Sequence, residues 1–190
     1  MLTRHRPGGD ASSLVSTGIF DAQGNKLVAL TGPRDAVESA CFGPDAQWIV
    51  TIGCDRTVRK FELPSGRESW CQSVDGQPFA LACSHDGRFL GLLTSSDCVQ
   101  LRATETGGLI HEIRREGLSC IGLSDSADEI WAGTGGGTVL HCRLAPIVEI
   151  ASFEIGMAVR SVAAVSRLKA TACDAMGRVH ALFLGSGQSA

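Results

Sequence analysis

The chain has 190 residues, 44% of them hydrophobic and 19% charged, with a net charge of −3 at neutral pH. That is enough length for one domain with a real core, and the chain is too apolar for intrinsic disorder. There is no basic field to draw it to nucleic acid or anionic lipid, and no apolar run approaches the ~18 residues of a membrane span.

The opening "MLTRHRPGGD" carries two arginines with no apolar stretch behind them, which argues against a secretory signal. Residues 1–12 are expected to be a flexible tail. "SLVSTGIFDAQGNKLVAL" follows, and reads as a strand, a "DAQGN" turn and an outer strand. From there a repeat takes over. "WIVTIGCDRTVRKFE", "FLGLLTSSDCVQLRA", "EIWAGTGGGTVLHCR" and "KATACDAMGRVHALF" align on Val58, Val99, Val139 and Val179, at spacings of 41, 40 and 40. Each has an apolar run, a short turn of small and polar residues, and an alternating run, the pattern of a hairpin. Asp45, Asp86 and Ser126 mark the turns before the first three. Another short strand precedes every hairpin ("AVESACF", "PFALACS", "GLSCIGL", "AVRSVAAV"), and "RESWCQS", "GLIHEIR" and "VEIASFEI" follow the first three. The reading is all-β: four short antiparallel strands in about forty residues, repeated.

Residues 30–66, "LTGPRDAVESACFGPDAQWIVTIGCDRTVRKFELPSG", resemble a WD40 repeat. Gly32, Val37, Phe42, Pro44, Asp45, Asp55, Thr57, Val58 and Arg59 match that family's pattern, while Pro33 stands for its histidine and Phe61-Glu62 for its Trp-Asp. The resemblance implies a β-propeller-like array with a partial copy at 13–34. Blades are expected at about 35–76, 77–115, 116–156 and 157–184, the last without an outer strand, and a second tail at 185–190. It also implies a buried His–Asp–Ser/Thr–Trp hydrogen-bond chain in each blade. Pro33 and Phe61 remove both ends of that chain, so blade stability is expected to rest mainly on apolar packing. Two strands in the partial copy, four in each of three full copies and three in the last make seventeen. Two arrangements protect the edges: Lys26–Leu30 pairs with the last copy and closes a four-bladed ring, or the propeller is open and is completed by another subunit or another copy. The ten aromatics are few for a tight ring, which favours the open form.

Sites of chemistry are sparse. "AGTGGGTVLH" (132–141) invites a phosphate-loop reading, but no Lys-Ser/Thr and no helix follow it, so a hairpin turn is expected with no nucleotide at Gly133–Thr138. The eight cysteines form no Cys-x-x-Cys pair. They read as reduced thiols packed as small hydrophobes in an intracellular compartment, cytoplasm or nucleus. His141 and His180 align one residue out of register, on opposite strand faces, and are not expected to converge on a metal. Cys83 and His85 lack a third group, and no Gly-x-Ser-x-Gly elbow occurs. No catalytic residue, cofactor or metal site is expected.

What the resemblance leaves is surface. In the family, the loops entering the first strand and the turns of the central hairpin share one rim. Copy by copy, that rim would hold Pro33, Arg34, Asp55 and Arg56, then Gln77 and Asp97, then Glu116 and Gly136, then Met157, Asp174 and Arg178. Arg34, Arg56, Asp97, Glu116, Met157, Asp174 and Arg178 are the expected partner-binding residues. Arginine and methionine favour interfaces, and mixed charge suits a protein or peptide. The expected function is a non-catalytic scaffold or adaptor. The alternatives are a hydrolase-like enzyme with a channel site, or a reader of acidic or modified peptides through Arg34 and Arg56.

Overall fold

The computed structural model describes residues 2–5, 16–124, 129–144, 147–166 and 168–184. Ser126, the expected tail at 185–190 and most of the expected tail at 1–12 lie outside them. Every regular element among these residues is a strand, and their pairings are antiparallel. Blade 1 is β1 (Leu2–His5), β2 (Ser16–Phe20) and β3 (Lys26–Leu30); blade 2 is β4 (Val37–Phe42), β5 (Trp48–Gly53), β6 (Thr57–Glu62) and β7 (Glu68–Ser73). Blade 3 is β8 (Pro78–Cys83), β9 (Phe89–Thr94), β10 (Cys98–Ala103) and β11 (Leu109–Arg114); blade 4 is β12 (Leu118–Leu123), β13 (Glu129–Thr134), β14 (Thr138–Leu144) and β15 (Ile147–Glu154). Blade 5 is β16 (Val159–Ser166), β17 (Lys169–Asp174) and β18 (Val179–Phe183). Within each sheet the strands lie side by side in chain order. The fold is all-β and propeller-like.

The burial of each strand follows from its place in the stack. β5, β9 and β13 are covered on both faces and are accordingly almost continuously apolar, whereas β7 and β11 alternate and face solvent on one side. Alternation along β5 sends Ile49 toward blade 1, where it joins Ile19, Val28, Leu30 and Phe61, and Val50 and Ile52 toward blade 3, where they meet Leu90 and Leu92. Two further clusters repeat the arrangement: Leu93, Val99 and Leu101 against Ile121 and Leu123, and Trp131 and Val139 against Val159, Ala172 and Leu182. Each core thus belongs to a pair of consecutive sheets.

Two expectations change, and one of the two edge arrangements is closed off. Leu2–His5, inside the segment expected to be a flexible tail, is β1 and pairs with Ser16–Ile19, giving blade 1 three strands and the described residues eighteen. Lys26–Leu30 pairs with β2 rather than with the last blade, so among the described residues β18 has a partner only in β17. Finally, the hydrogen-bond chain of blade 2 is rebuilt rather than lost. Asp55 accepts from the Arg34 backbone N–H (3.0 Å), the Thr57 hydroxyl (2.6 Å) and the Arg59 guanidinium (3.3 Å), and Arg59 also pairs with Glu68 (2.7 Å). Burial pushes the Asp55 carboxyl up, but the Arg34 N–H, Thr57 and Arg59 together hold it below its usual range.

Candidate functional site

One edge of the array is framed by a repeated set of backbone hydrogen bonds. At each central hairpin, the turn donates to the loop that enters the innermost strand: Cys54 to Ala36, Ser95 to Gln77, Gly135 to Gly117 and Ala175 to Ala158. The segment leaving each outer strand donates back to the turn: Val74 to Arg56, Arg115 to Asp97 and Ile155 to Gly137. Entry loops and hairpin turns are therefore bound together on a single rim. Backbone rather than side-chain groups make these bonds, which leaves the side chains available to face solvent.

Arg34, Arg56, Asp97, Glu116, Met157 and Arg178 lie exposed along that rim. Arg56 and Asp97 occupy the same turn position in successive blades and share a left-handed backbone, φ 57° and 55°; Gly137 (φ 94°) takes it in blade 4 and Gly177 (φ 78°) in blade 5. Asp97 also accepts from the Gly117 N–H (3.3 Å), tying blade 3 to the entry loop of blade 4. Asp174 is different. Its side chain is buried and accepts from His180 Nε2 (3.0 Å), the Arg178 guanidinium (2.7 Å) and the backbone N–H groups of Met176 and Arg178. The His180 contact, against the opposing effect of burial, and then the Arg178 bonds hold its carboxyl well below the usual carboxylate range. Asp174 and Asp55 clamp turns, and the surface belongs to their neighbours.

The glycines of "GTGGGT" divide by task. Gly133 is in β13, where a Cβ would overlap Val159 and the Cys120 sulfur. Gly135 and Gly136 sit in open space, and Gly137 supplies the left-handed residue of the turn. The stretch is a strand end followed by a hairpin turn, with β14 after it.

The register argument for the histidines needs correction. His141 is the cross-strand partner of Trp131 and His180 of Ala172, and both partners belong to the core between blades 4 and 5, so the two histidines stand on facing sheets. Each ring bonds a carboxylate of its own blade: His141 reaches Glu129 at 3.0 Å under a stacked Trp131 ring, and His180 reaches Asp174. Opposite faces of adjacent sheets meet. No group of three or more His, Cys, Asp or Glu is arranged to hold a metal among the described residues, and all eight cysteines are free thiols.

Sequence reasoning missed the opposite rim. There an open cleft of about 310 Å³ lies between blades 2 and 3, lined among others by Trp48, Lys60, Arg88, Phe89, Thr104 and Glu105. These residues are scattered from 48 to 105, and the only sequence-level signal for them is the pair of repeated turns before β5 and β9.

No family model matches the chain. Human WD repeat-containing protein 36 is 29% identical over 76 residues, a stretch that is 40% of this chain and 8% of that protein. Two solved structures, "Structure of U3-55K" and "Crystal structure of RRP9 WD40 repeats", superpose with a TM-score of 0.69 at 15% identity, over 81% and 83% of this chain. In both cases the chain spans about half of the solved one, 54%. The repeat at 30–66, the human relative and the solved structures agree, and the chain has the fold of WD40-repeat β-propeller blades.

Proposed function

We propose that the chain is a non-catalytic interaction scaffold that binds a protein or peptide partner through the rim of entry loops and hairpin turns, within a reducing intracellular compartment. The observation that supports this most is the repeated hydrogen-bond frame. It fixes the backbone of that rim blade after blade, while Arg34, Arg56, Asp97, Glu116, Met157 and Arg178 remain exposed on it. A rigid scaffold presenting variable side chains is what recognition requires, because little ordering entropy is left to lose on binding. Both signs of charge and two exposed thioethers, Met157 and Met176, suit a mixed protein surface better than a polyanion. The human WD-repeat relative and the solved WD40 repeats support this reading.

Quantitative affinity capture of the full chain tests it, comparing wild type with Arg34→Glu/Arg56→Glu and with Met157→Asp. The expected outcome is a defined set of partners that the rim variants lose at unchanged melting temperature. Identical partner sets from wild type and both variants would overturn the assignment of the rim.

A further inference from the structure

The cleft on the opposite rim has features that the scaffold does not use. Its place is set by backbone bonds that mirror those of the first rim: Leu63 donates to the Gln47 carbonyl and Thr104 to that of Arg88, both within a blade. Two side chains of blade 2 then reach across to blade 3. Trp70 Nε1 donates to the Thr104 carbonyl at 3.1 Å, and Gln72 to that of Thr106 at 3.3 Å. Gly87 is left-handed (φ 72°) and lies against Pro44 and Trp48 of blade 2, so closely that a Cβ would press on the Pro44 ring. The two walls of the cleft are therefore fixed relative to each other.

Within those walls the chemistry is uneven. The Lys60 ammonium lies 5.0 Å from the centroid of the Trp48 ring, and the Arg88 guanidinium 5.5 Å from that of Phe89. Both cations rest on aromatic faces, and among the described residues neither makes a close ion pair, although Asp86 attracts Arg88 and Glu62 attracts Lys60 through space. A cation held by a ring keeps most of its hydrogen-bonding directions free for an anion. Thr104 is buried, and its Oγ1 has no hydrogen-bond partner among the described residues. That oxygen is closed to solvent, so Thr104 contributes to the cleft through its backbone carbonyl contact with Trp70 and not through its hydroxyl. Glu105 completes the lining.

We infer that this cleft is a second binding site, one that takes a single anionic side chain of a partner polypeptide together with an apolar neighbour. Within the lining itself two cations stand against one carboxylate, Glu105, so the cleft presents more positive than negative groups to a ligand. Lys60 and Arg88 receive the anion, and the exposed parts of the Trp48 and Phe89 rings take the apolar group. A nucleic-acid backbone fits less well, because Glu105 stands in its path and the chain as a whole carries −3. The inference rests on the interaction-scaffold reading but uses a different surface from the first rim.

The three tryptophan indole N–H signals of the 15N-labelled chain provide the test, with the Trp48 signal assigned from a Trp48→Phe variant. The probes are a blocked hexapeptide bearing one glutamate beside one leucine, its phosphoserine and glutamine counterparts, and hexauridylate. The glutamate and phosphoserine arms identify which anion the site takes. At least one of them is expected to move the Trp48 signal saturably. Lys60→Gln/Arg88→Gln should weaken that binding about tenfold or more, and Arg34→Gln/Arg56→Gln should leave it unchanged. The signal of Trp131, buried between blades 4 and 5, reports that each variant is folded. No saturable shift with either anionic peptide, equal binding of the glutamine peptide, or tighter binding of hexauridylate overturns the proposal. A partner set lost by the first-rim variants but kept by Lys60→Gln/Arg88→Gln, alongside no Trp48 shift, removes the cleft and leaves the scaffold standing.

Discussion

Blades 4 and 5 carry the same repeat and put it to different use. Val139 in blade 4 is fully buried against blade 5, as Val58 is against blade 3 and Val99 against blade 4. Val179 holds the equivalent position in blade 5 and is 73% exposed, with Phe183 on the same face at 60%. The repeat therefore encodes one side of an interface, and the following sheet supplies the other. A residue's burial here depends less on its own blade than on whether a neighbour is stacked against it. The turns differ as well: blade 4 makes its hairpin with three consecutive glycines, of which Gly137 packs against the Met157 backbone, while blade 5 holds its own with the Asp174–Arg178–His180 clamp.

The largest effect that would test this contrast is at Gly133. Gly133→Val drives a side chain into Val159 and Cys120 at the centre of the blade 4–5 core, and should cost about 3 kcal/mol as overpacking. Gly136→Val, three residues on and in open space, should cost less than about 0.5 kcal/mol. Urea denaturation of the two variants checks the pair. With nucleotide added, neither the wild type nor Gly136→Val should gain thermal stability. Equal losses from the two valines would mean that the turn, and not the strand, carries the glycine requirement. The next effect is at the aligned valines, where Val139→Ala should cost about 2 kcal/mol for lost burial and the cavity left behind. Val179→Ala should be nearly neutral.

These contrasts mark how far the sequence reaches. The period of forty and the hairpins were legible, because a strand covered on both faces reads as a continuous apolar run and an outer strand as an alternating one. The rim was legible through the family resemblance, since topology alone brings entry loops and hairpin turns to one edge. β1 was not, because "LTRH" is too short to show alternation and its pairing with β2 is a matter of backbone. Asp174 read as a surface residue, and no local pattern says that its carboxylate turns inward to hold N–H groups; Asp55 read both as a rim residue and, through the resemblance, as the aspartate kept from the family's buried hydrogen-bond chain. Arg59 was matched only as a family residue, yet its burial beside Asp55 and Glu68 is what replaces the missing histidine and tryptophan. The cleft joins Trp48 and Lys60 to Arg88 and Thr104 through blade stacking, which sequence spacing does not display.

A smaller effect concerns acid. The carboxyl of Asp174 titrates lower in the folded chain than in the unfolded one, where an aspartate has a pKa of about 3.9. A depressed carboxylate stabilises the fold above the unfolded pKa, and that stabilisation is lost as pH falls through the folded one. The wild type should therefore lose stability as pH drops below about 4. Asp174→Asn should be less stable at neutral pH and show a shallower fall on acidification. Thermal melts from pH 6 to about pH 2 read both slopes. Parallel curves would show that the clamp does not contribute.

The smallest effect on the chain's own stability, and the sharpest probe of the contrast, is at Val179. In blades 2 to 4 an aspartate at the aligned position would place an unpaired charge inside a closed core, which no fold of this size readily tolerates. On blade 5 the same change meets solvent, so Val179→Asp should alter the unfolding free energy by no more than about 0.5 kcal/mol in dilute solution. Exposed apolar faces also drive association, and the edge of β18 is unpaired among the described residues, so this face is where another sheet would stack. Sedimentation of the wild type across a concentration series should then show association that Val179→Asp/Phe183→Ser abolishes. A Val179→Asp variant that unfolds as readily as one altered at Val139 would mean that a sheet already covers the face in the monomer. Identical monomeric sedimentation of wild type and variant would mean that the repeat's outer face tolerates water, and that the aligned valine does not by itself call for a neighbour.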